Sequence, residues 1–204
     1  MALREIHGVD APTPAPGTRA GRTDGEIARL ILAEAGIAGP RVDECAAAVR
    51  EHACRAYEQL VPADLSDRVL PGVEAVLNEL SEQDRVTLGL LTGNFEPIAR
   101  LKLERAGIGH YFTVGQGAFG SDSEDRAALP AIARARAGAD GVPYARSETV
   151  VIGDTPRDIA CARADQVRCV AVATGPFGAD QLIGADAVAR DASELPVALR
   201  RLRG

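Results

Sequence analysis

The sequence predicts an α/β fold in which a parallel sheet is covered by helices and follows a helical segment. From residue 67 onward, short apolar runs alternate with amphipathic stretches of helical length. This alternation is typical of parallel strands joined by crossover helices. The first third of the chain, in contrast, carries only helical patterns. We therefore expect two domains, a helical one at residues 1–66 and an α/β one at residues 67–204.

The helical third begins with a short helical pattern at residues 1–6, followed by a proline-rich connector at residues 11–18. Prolines cannot continue a helix because they lack an amide donor. Thr23 and Asp24, followed by Glu26, then supply N-cap chemistry for a helix that runs to about Ala35 and ends at Gly36. A second long helix is predicted from about residue 43 to residue 60, after a Gly-Pro break.

The α/β part follows in regular order. The predicted elements are a helix opened by Pro71-Gly72 that ends near Ser81, a strand at 86–91, a helix at 95–106, a strand at 111–114, a helix at 125–137, a strand at 149–152, a helix at 156–164, a strand at 168–173, a weak strand at 187–189 and a helix from 193.

Composition excludes several classes of function. The 204 residues carry a net charge of −6 and only 3% aromatics, so we expect no nucleic-acid partner. No apolar run reaches the roughly 20 residues that span a bilayer, and no signal-peptide core is present, so we expect no membrane partner and a cytoplasmic location. The four cysteines form no Cys-x-x-Cys pair and are interpreted as reduced thiols. The oligomeric state is left open.

Thr92-Gly93-Asn94 directly follows the first predicted strand of the α/β part. Binding sites of parallel sheets lie at the carboxyl ends of their strands. A hydroxyl, a glycine and a helix N-cap can present a side-chain donor and free amides to an anion. An ordinary strand-to-helix turn is the alternative.

Asp154 and Asp158 follow the strand predicted at 149–152 and lie one helical turn apart. Two carboxylates with only Arg157 as a basic neighbour suit an oxygen-seeking Mg²⁺ better than an internal ion pair. A helix cap and a surface acid are the alternative.

Lys102 is the only lysine of the chain, against 22 arginines. Helical spacing places it on the same face as Ile98 and Ala106, which should face the sheet. A buried ammonium group needs anionic partners, and a compact point charge suits sites where a guanidinium does not fit. The alternative is a lysine that extends to solvent.

Three segments together resemble a known family. LLTGN at 90–94, KLERAGIGHYF at 102–112 and VVIGDTPRDIACARA at 150–164 resemble motifs II, III and IV of the haloacid dehalogenase-like hydrolase superfamily, especially its phosphoglycolate phosphatase-like members. The resemblance implies that residues 1–66 form a small mobile cap and residues 67–204 a Rossmann-like core.

The resemblance also implies roles for individual residues. Thr92 would bond the transferring phosphoryl group, and the amides near Gly93 and Asn94 would help to cradle it. Lys102 would stabilise negative charge on the nucleophile and on the phosphoryl oxygens. Asp154 would ligate Mg²⁺, with Asp158 supporting it or sharing that task.

Two further assignments concern the cap and the motif III base. Arg22 and Thr23, in the turn at 21–23, are candidates for contacting the substrate's leaving group. In many members of the family the motif III lysine instead precedes the strand that carries motif IV, where this chain has Asp125-Arg126. The single lysine of the chain favours Lys102 over Arg126.

The family's nucleophile lies in an Asp-x-Asp motif at the end of the central strand, and no such strand occurs in this sequence. Thr23-Asp24-Gly25 is partly similar, but no strand precedes it. We expect that the given start lies downstream of the true one, and that the 204-residue chain alone is poorly soluble or partly molten. A native protein without this strand, acting as a non-catalytic phosphate- or partner-binding module, is the alternative.

For the intact protein, the resemblance implies a Mg²⁺-dependent phosphatase that acts on a small phosphorylated metabolite through an aspartyl-phosphate. The chain as written is expected to be inactive because it lacks the nucleophile. A haloacid dehalogenase and a phosphoglucomutase-like transferase are the other enzymes considered. The Asp154 and Asp158 pair disfavours the dehalogenase, which uses no metal.

Overall fold

The computed structural model describes residues 1–10 and 19–202. The proline-rich connector predicted at 11–18 lies outside the described residues. The chain folds as a mixed α/β structure with parallel strands, which confirms the predicted fold class. Within the described ranges, no helix is long and apolar enough to cross a membrane.

The strands form two parallel sheets. The strands are β1 (Leu91–Thr92), β2 (Ala118–Phe119), β3 (Val150–Gly153), β4 (Arg168–Val172) and β5 (Ala187–Ala189). β1 pairs with β2, and β3, β4 and β5 pair in that order, with β4 in the middle.

Helices connect and cover the strands. They are α1 (Ala2–His7), α2 (Asp24–Glu34), α3 (Gly39–Leu60), α4 (Val73–Ser81), α5 (Glu96–Arg105), α6 (Leu129–Ala137), α7 (Pro156–Ala164) and α8 (Leu195–Leu202). α3 begins four residues before its predicted start, because Pro40 occupies its first turn, where a missing amide donor costs nothing.

Alternation along β4 gives the sheet two buried faces. Val170 and Val172 pack into one apolar cluster, which α4 and α8 complete. Cys169 and Ala171 point into a second cluster on the opposite face, which α7 completes. Successive strand residues face opposite sides, so helices on both faces are needed to bury this strand.

A third apolar cluster lies among α1, α2 and α3. Its buried members are Leu3, Ile31, Leu32, Val42 and Val49. These residues all come from the segment predicted as the helical cap. The division into two domains at residues 66 and 67 remains a prediction.

The strand predicted at 86–91 is shorter than expected. Only Leu91 and Thr92 form a ladder, because β2 offers only two residues to pair with. Val86 and Leu88 still pack against the first apolar cluster, so the apolar pattern was a true signal of burial. The number of paired residues depends on the partner strand, and the residues at 86–91 alone carry no information about that strand.

The prediction of a strand at 111–114 is wrong. A short 3₁₀ helix at Gly109–Tyr111 occupies part of this region, and Val114 is 85% exposed. The strand lies at Ala118–Phe119, where both residues are fully buried. Apolar residue type misled the prediction because burial, rather than composition alone, determines which residues join the sheet.

The two sheets are not hydrogen-bonded to each other. Within the described residues, β1 pairs only with β2, and β3 pairs only with β4. Leu91 of β1 nevertheless packs against the cluster that contains Val151 of β3. Ile152 in β3 is 41% exposed, which is unusual for a strand of a parallel sheet.

Candidate active site

The loop that follows β1 is held together by its own side chains. The Asn94 backbone amide donates to Oγ1 of Thr92 at 3.2 Å. The Thr92 hydroxyl therefore accepts a bond inside the loop, and its own proton is left to donate elsewhere. Thr92 is the last residue of β1, so this loop lies at the carboxyl end of the strand, as expected.

Lys102 reaches back from α5 to this loop. Its Nζ donates to Oδ1 of Asn94 at 2.7 Å and lies 5.4 Å from the centre of the Tyr57 ring. Burial lowers the pKa of Lys102, and the negative charge of Asp24 acts in the opposite direction. Helical spacing predicted a lysine that faces the sheet, whereas its Nζ lies at the Asn94 side chain of this loop. Its catalytic role remains a prediction.

Asp24 is the anionic partner of this loop, and sequence reasoning assigned it no site role. Its carboxylate accepts from the Phe95 amide at 2.8 Å and from Nδ2 of Asn94 at 3.1 Å. Its own amide donates to the Gly93 carbonyl at 2.8 Å. The sequence carried one signal for a site at Asp24, because Thr23-Asp24-Gly25 is partly similar to the Asp-x-Asp motif. No strand precedes this segment, so the start of a helix was the preferred interpretation.

The loop that follows β3 carries Asp154. Burial raises the pKa of this carboxyl group, and the charge of Asp158 raises it further. Within residues 1–10 and 19–202, no Arg, Lys or His lies within 4 Å of its carboxylate. Asp154 is therefore a partly buried acid at a strand end without a cationic partner there.

Asp154 and Asp158 were expected to suit Mg²⁺ better than an internal ion pair, but Asp158 forms such a pair. Its carboxylate forms an ion pair with Arg126, and both side chains are largely buried. It also accepts from Oγ1 and the amide of Thr155 at 2.8 Å and 2.9 Å, and from the Asp154 amide at 3.2 Å. The long-range Arg126 contact could not be read from the spacing of the two acids.

The turn at residues 21–23 joins the two loops. A Cβ on Gly21 would lie 2.6 Å from Oγ1 of Thr155 and 2.9 Å from Cβ of Arg157. A Cβ on Gly93 would collide with the backbone of Arg22. Glycine is required at both positions because the chain segments approach too closely for any side chain. The β1 loop and the β3 loop thus pack against the same short turn.

The structure corrects the assignment of Thr23 as a substrate-binding residue. Thr23 is fully buried, and its hydroxyl donates to the Glu124 carbonyl at 2.8 Å. The same oxygen accepts from the Glu26 amide at 3.1 Å as the N-cap of α2. Both hydrogen-bonding functions of the hydroxyl are therefore occupied within the protein.

Arg22, the other residue predicted to contact the leaving group, forms an ion pair with Glu26 one turn along α2. Both side chains are partly buried. This pair holds the guanidinium beside the turn, and its role toward a substrate remains a prediction.

Two cavities lie beside α2. One, of about 410 Å³, is lined by Arg126, Arg157, Cys161 and the acids Glu26, Glu124 and Asp125 among others. The second, of about 400 Å³, lies between α2, α3 and residues 120–124. Neither lining includes Thr92 or Asp154, so the two strand-end loops lie outside both cavities.

The residues present fit Mg²⁺ in part. Among the described residues, no group of three or more His, Cys, Asp or Glu side chains is arranged to hold a metal ion. Magnesium keeps several waters and commonly takes only one or two protein carboxylates together with phosphate oxygens. Asp154 satisfies this modest requirement, whereas Asp158 is already bonded to Arg126.

The fold is that of an α/β protein, and the two loops that form the candidate site lie at the carboxyl ends of parallel strands. The family model for haloacid dehalogenase-like hydrolases matches residues 16–163. The chain therefore belongs to the haloacid dehalogenase-like hydrolases. A comparison with characterised proteins finds no match.

Solved structures show the same fold. A hydrolase from Pseudomonas syringae aligns with a TM-score of 0.67 at 20% identity, covering 98% of this chain and 89% of that one. A haloacid dehalogenase-like family hydrolase from Streptococcus pneumoniae aligns at 0.55 and 16% identity, covering 97% and 86%. A haloacid dehalogenase-like protein of unknown function from Agrobacterium tumefaciens aligns at 0.56 and 16% identity, covering 99% and 88%.

Proposed function

We propose that the protein is a Mg²⁺-dependent phosphatase that hydrolyses a small phosphorylated metabolite in the cytoplasm through an aspartyl-phosphate. One observation carries the proposal: a loop with anion-binding groups and a loop with an unpaired acid pack against the same turn. A phosphoryl group needs donors for its oxygens and a cation to offset its charge. The two loops offer these functions at one edge of the fold.

The β1 loop would receive the phosphoryl oxygens. Because the Thr92 hydroxyl accepts from the Asn94 amide, its proton is available to a phosphoryl oxygen. Lys102 would supply the positive charge beside it. The ammonium is held by Asn94 and backed by the Tyr57 ring, so little reorganisation is needed when charge develops.

The β3 loop would supply the metal ligand. Asp154 would bind Mg²⁺, and Asp158 would hold the loop by accepting from the Asp154 and Thr155 amides. When bound, Mg²⁺ would offset negative charge on the phosphoryl oxygens. Arg126 would act as a positioning residue through Asp158, while Lys102 acts toward the phosphoryl group.

The nucleophile is proposed to lie on an additional strand. β1 and β3 each have one sheet partner within the described residues, and Ile152 is exposed where a parallel strand is normally covered. A strand that ends in Asp-x-Asp would pair with these edges and bring its carboxylate to the ends of both loops. The 204-residue chain alone is accordingly proposed to be inactive.

The test is hydrolysis of an aryl phosphate by a chain extended upstream of Met1 in its own reading frame. We expect Mg²⁺-dependent turnover that Asp154→Asn and Lys102→Met each reduce by at least about 100-fold, the scale on which losing one charge-stabilising group acts. Glu34→Gln, an exposed acid at the far end of α2, is the matched control and should leave turnover unchanged.

Turnover unaffected by Asp154→Asn and Lys102→Met would contradict the assigned roles. Halide release from a 2-haloacid, without phosphate release, would identify the dehalogenase instead. A requirement for a sugar bisphosphate would identify the transferase. An upstream sequence without an Asp-x-Asp strand would favour a non-catalytic phosphate- or partner-binding module.

A further inference from the structure

We propose that Asp24 is a positioning residue that orients Asn94 and Lys102, so that the geometry of the β1 loop depends on the docking of α2. The proposal rests on the proposed function for the role of Lys102 in catalysis. Asp24 belongs to the predicted cap, whereas Asn94 and Lys102 belong to the α/β part of the chain. From the sequence, Asp24 was assigned only a share of the N-cap chemistry of α2 and no role at a site.

The hydrogen bonds form a chain from Asp24 to Lys102. The Asp24 carboxylate accepts from Nδ2 of Asn94, and Oδ1 of Asn94 accepts from Nζ of Lys102 at 2.7 Å. A flipped amide would direct its oxygen at a carboxylate and its NH₂ group at an ammonium, so both contacts would become repulsive. Asp24 therefore selects the amide orientation that presents an acceptor to Lys102.

Asp24 also fixes the backbone of the β1 loop. Its carboxylate accepts from the Phe95 amide at 2.8 Å, and its amide donates to the Gly93 carbonyl at 2.8 Å. One hydrogen bond to the backbone on each side of Asn94 therefore holds this residue in place. Asp24 thus positions both the side chain and the main chain of Asn94.

The position of Asp24 is itself determined by the contacts of α2 with residue 124. The adjacent Thr23 hydroxyl donates to the Glu124 carbonyl. One turn along α2, Arg29 binds the Glu124 carboxylate through Nε at 2.7 Å and Nη2 at 3.1 Å. A bidentate pair of this kind constrains direction as well as distance. Displacement of α2 would therefore withdraw Asp24 from the loop.

The environment of Lys102 makes the contribution of Asp24 measurable. The groups that face its Nζ are Asn94 from the loop, the Tyr57 ring from α3 and the Asp24 carboxylate from α2. Asn94 is neutral, and Tyr57 is uncharged at neutral pH because the ordinary pKa of a phenol is about 10 and burial raises it. The carboxylate of Asp24 opposes the effect of burial on the pKa of Lys102.

The experiment uses the single lysine of the chain. Reductive methylation with ¹³C-formaldehyde labels only Lys102 and the terminal amine, so the Lys102 resonance can be followed through a pH titration of the full chain. We expect its midpoint to fall in Asp24→Asn and to stay unchanged in Glu34→Gln, which removes an exposed charge from the same helix. This readout needs no turnover, so it can fail or succeed independently of the proposed function.

An unchanged midpoint in folded Asp24→Asn overturns the proposal. Unfolding would shift the midpoint upward, toward about 10.4 for an exposed lysine, and circular dichroism would report it. In that case Asn94→Ala provides the second measurement. The chain of hydrogen bonds predicts a lower midpoint there, because the ammonium loses its acceptor while Asp24 remains, and an unchanged midpoint overturns the proposal.

Discussion

Asp154 and Asp158 lie one helical turn apart but have different surroundings. Asp158 is bonded to Arg126, to Thr155 and to the amide of Asp154. Asp154 has a raised pKa because it is partly buried beside the charge of Asp158. Asp158 therefore stabilises the loop. Asp154 is a charged group whose burial costs stability, and a bound cation would offset that cost.

In the chain extended upstream of Met1, Asp154→Asn is therefore expected to raise the melting temperature at pH 7 in the presence of EDTA. An acid whose folded pKa is raised binds more protons in the folded state, so its ionisation destabilises the fold as pH rises through the folded pKa. The gain should shrink as pH falls toward the ordinary aspartate range near about 3.9.

Thermal melts with and without Mg²⁺ check this. Mg²⁺ should stabilise the unsubstituted chain and leave Asp154→Asn unaffected, since a ligand stabilises only the state that binds it. A lower melting temperature for Asp154→Asn in EDTA would contradict the assignment of Asp154 as an unpaired acid.

At the scale of elements, α2 is anchored through its N-cap. The Thr23 hydroxyl caps the helix and binds the Glu124 carbonyl while fully buried. The sequence predicted N-cap chemistry from Thr23 and Asp24, and the structure shows that Thr23 is the N-cap. The sequence could not predict the Glu124 contact, because that residue lies 101 positions away.

Thr23→Val keeps the shape of the side chain but removes both hydrogen bonds. In the extended chain we expect a loss of about 2–3 kcal/mol in the free energy of unfolding, since a helix cap is lost and a buried carbonyl loses its donor. Thr23→Ser, which keeps the hydroxyl, should lose less. Urea denaturation of the two variants checks this, and equal losses would show that the hydroxyl contributes nothing.

A second anchor ties α6 and the segment before β3 to the end of α7. Asp165 accepts from Nε and Nη2 of Arg134 at 2.6 Å and 3.0 Å, and Arg146 binds the same carboxylate. Arg134 and Asp165 are almost completely buried. The Arg134 guanidinium holds the pKa of Asp165 below its usual range, and Arg146 adds to this effect.

In the extended chain, Asp165→Asn should lower the free energy of unfolding by about 3–5 kcal/mol at pH 7, because it leaves the Arg134 guanidinium buried without its counter-charge. A lowered folded pKa gives stability that is present above the unfolded pKa and is lost as pH falls through the folded one. The difference from the unsubstituted chain should therefore shrink below about pH 4. Denaturant titrations across this range, with exposed Asp67→Asn as the control, measure it.

Across the whole molecule, features set by local pattern could be predicted from the sequence. The alternation of β4 with its flanking helices and the N-cap chemistry at the start of α2 are local properties, and both were identified. The ion pair of Arg126 with Asp158 joins residues 32 positions apart. The hydrogen bond of Asn94 with Asp24 joins residues 70 positions apart, so no local pattern contains either contact.

Within the described residues, β1 and β3 each have one edge without a partner strand, and these edges connect the fold to the proposed chemistry. An additional parallel strand would complete the sheet and would end beside both loops, so stability and catalysis should appear together when it is supplied. Buried backbone groups without partners cost about 1–3 kcal/mol each, which is large against the stability of a domain.

The most direct test measures Mg²⁺-dependent hydrolysis of an aryl phosphate by the 204-residue chain and by the chain extended through its upstream reading frame, alongside their thermal melts. We predict no turnover and a broad, weakly cooperative melt for the 204-residue chain. The extended chain should show Mg²⁺-dependent turnover and a sharp, cooperative melt. Robust hydrolysis and a cooperative melt by the 204-residue chain alone would contradict the account.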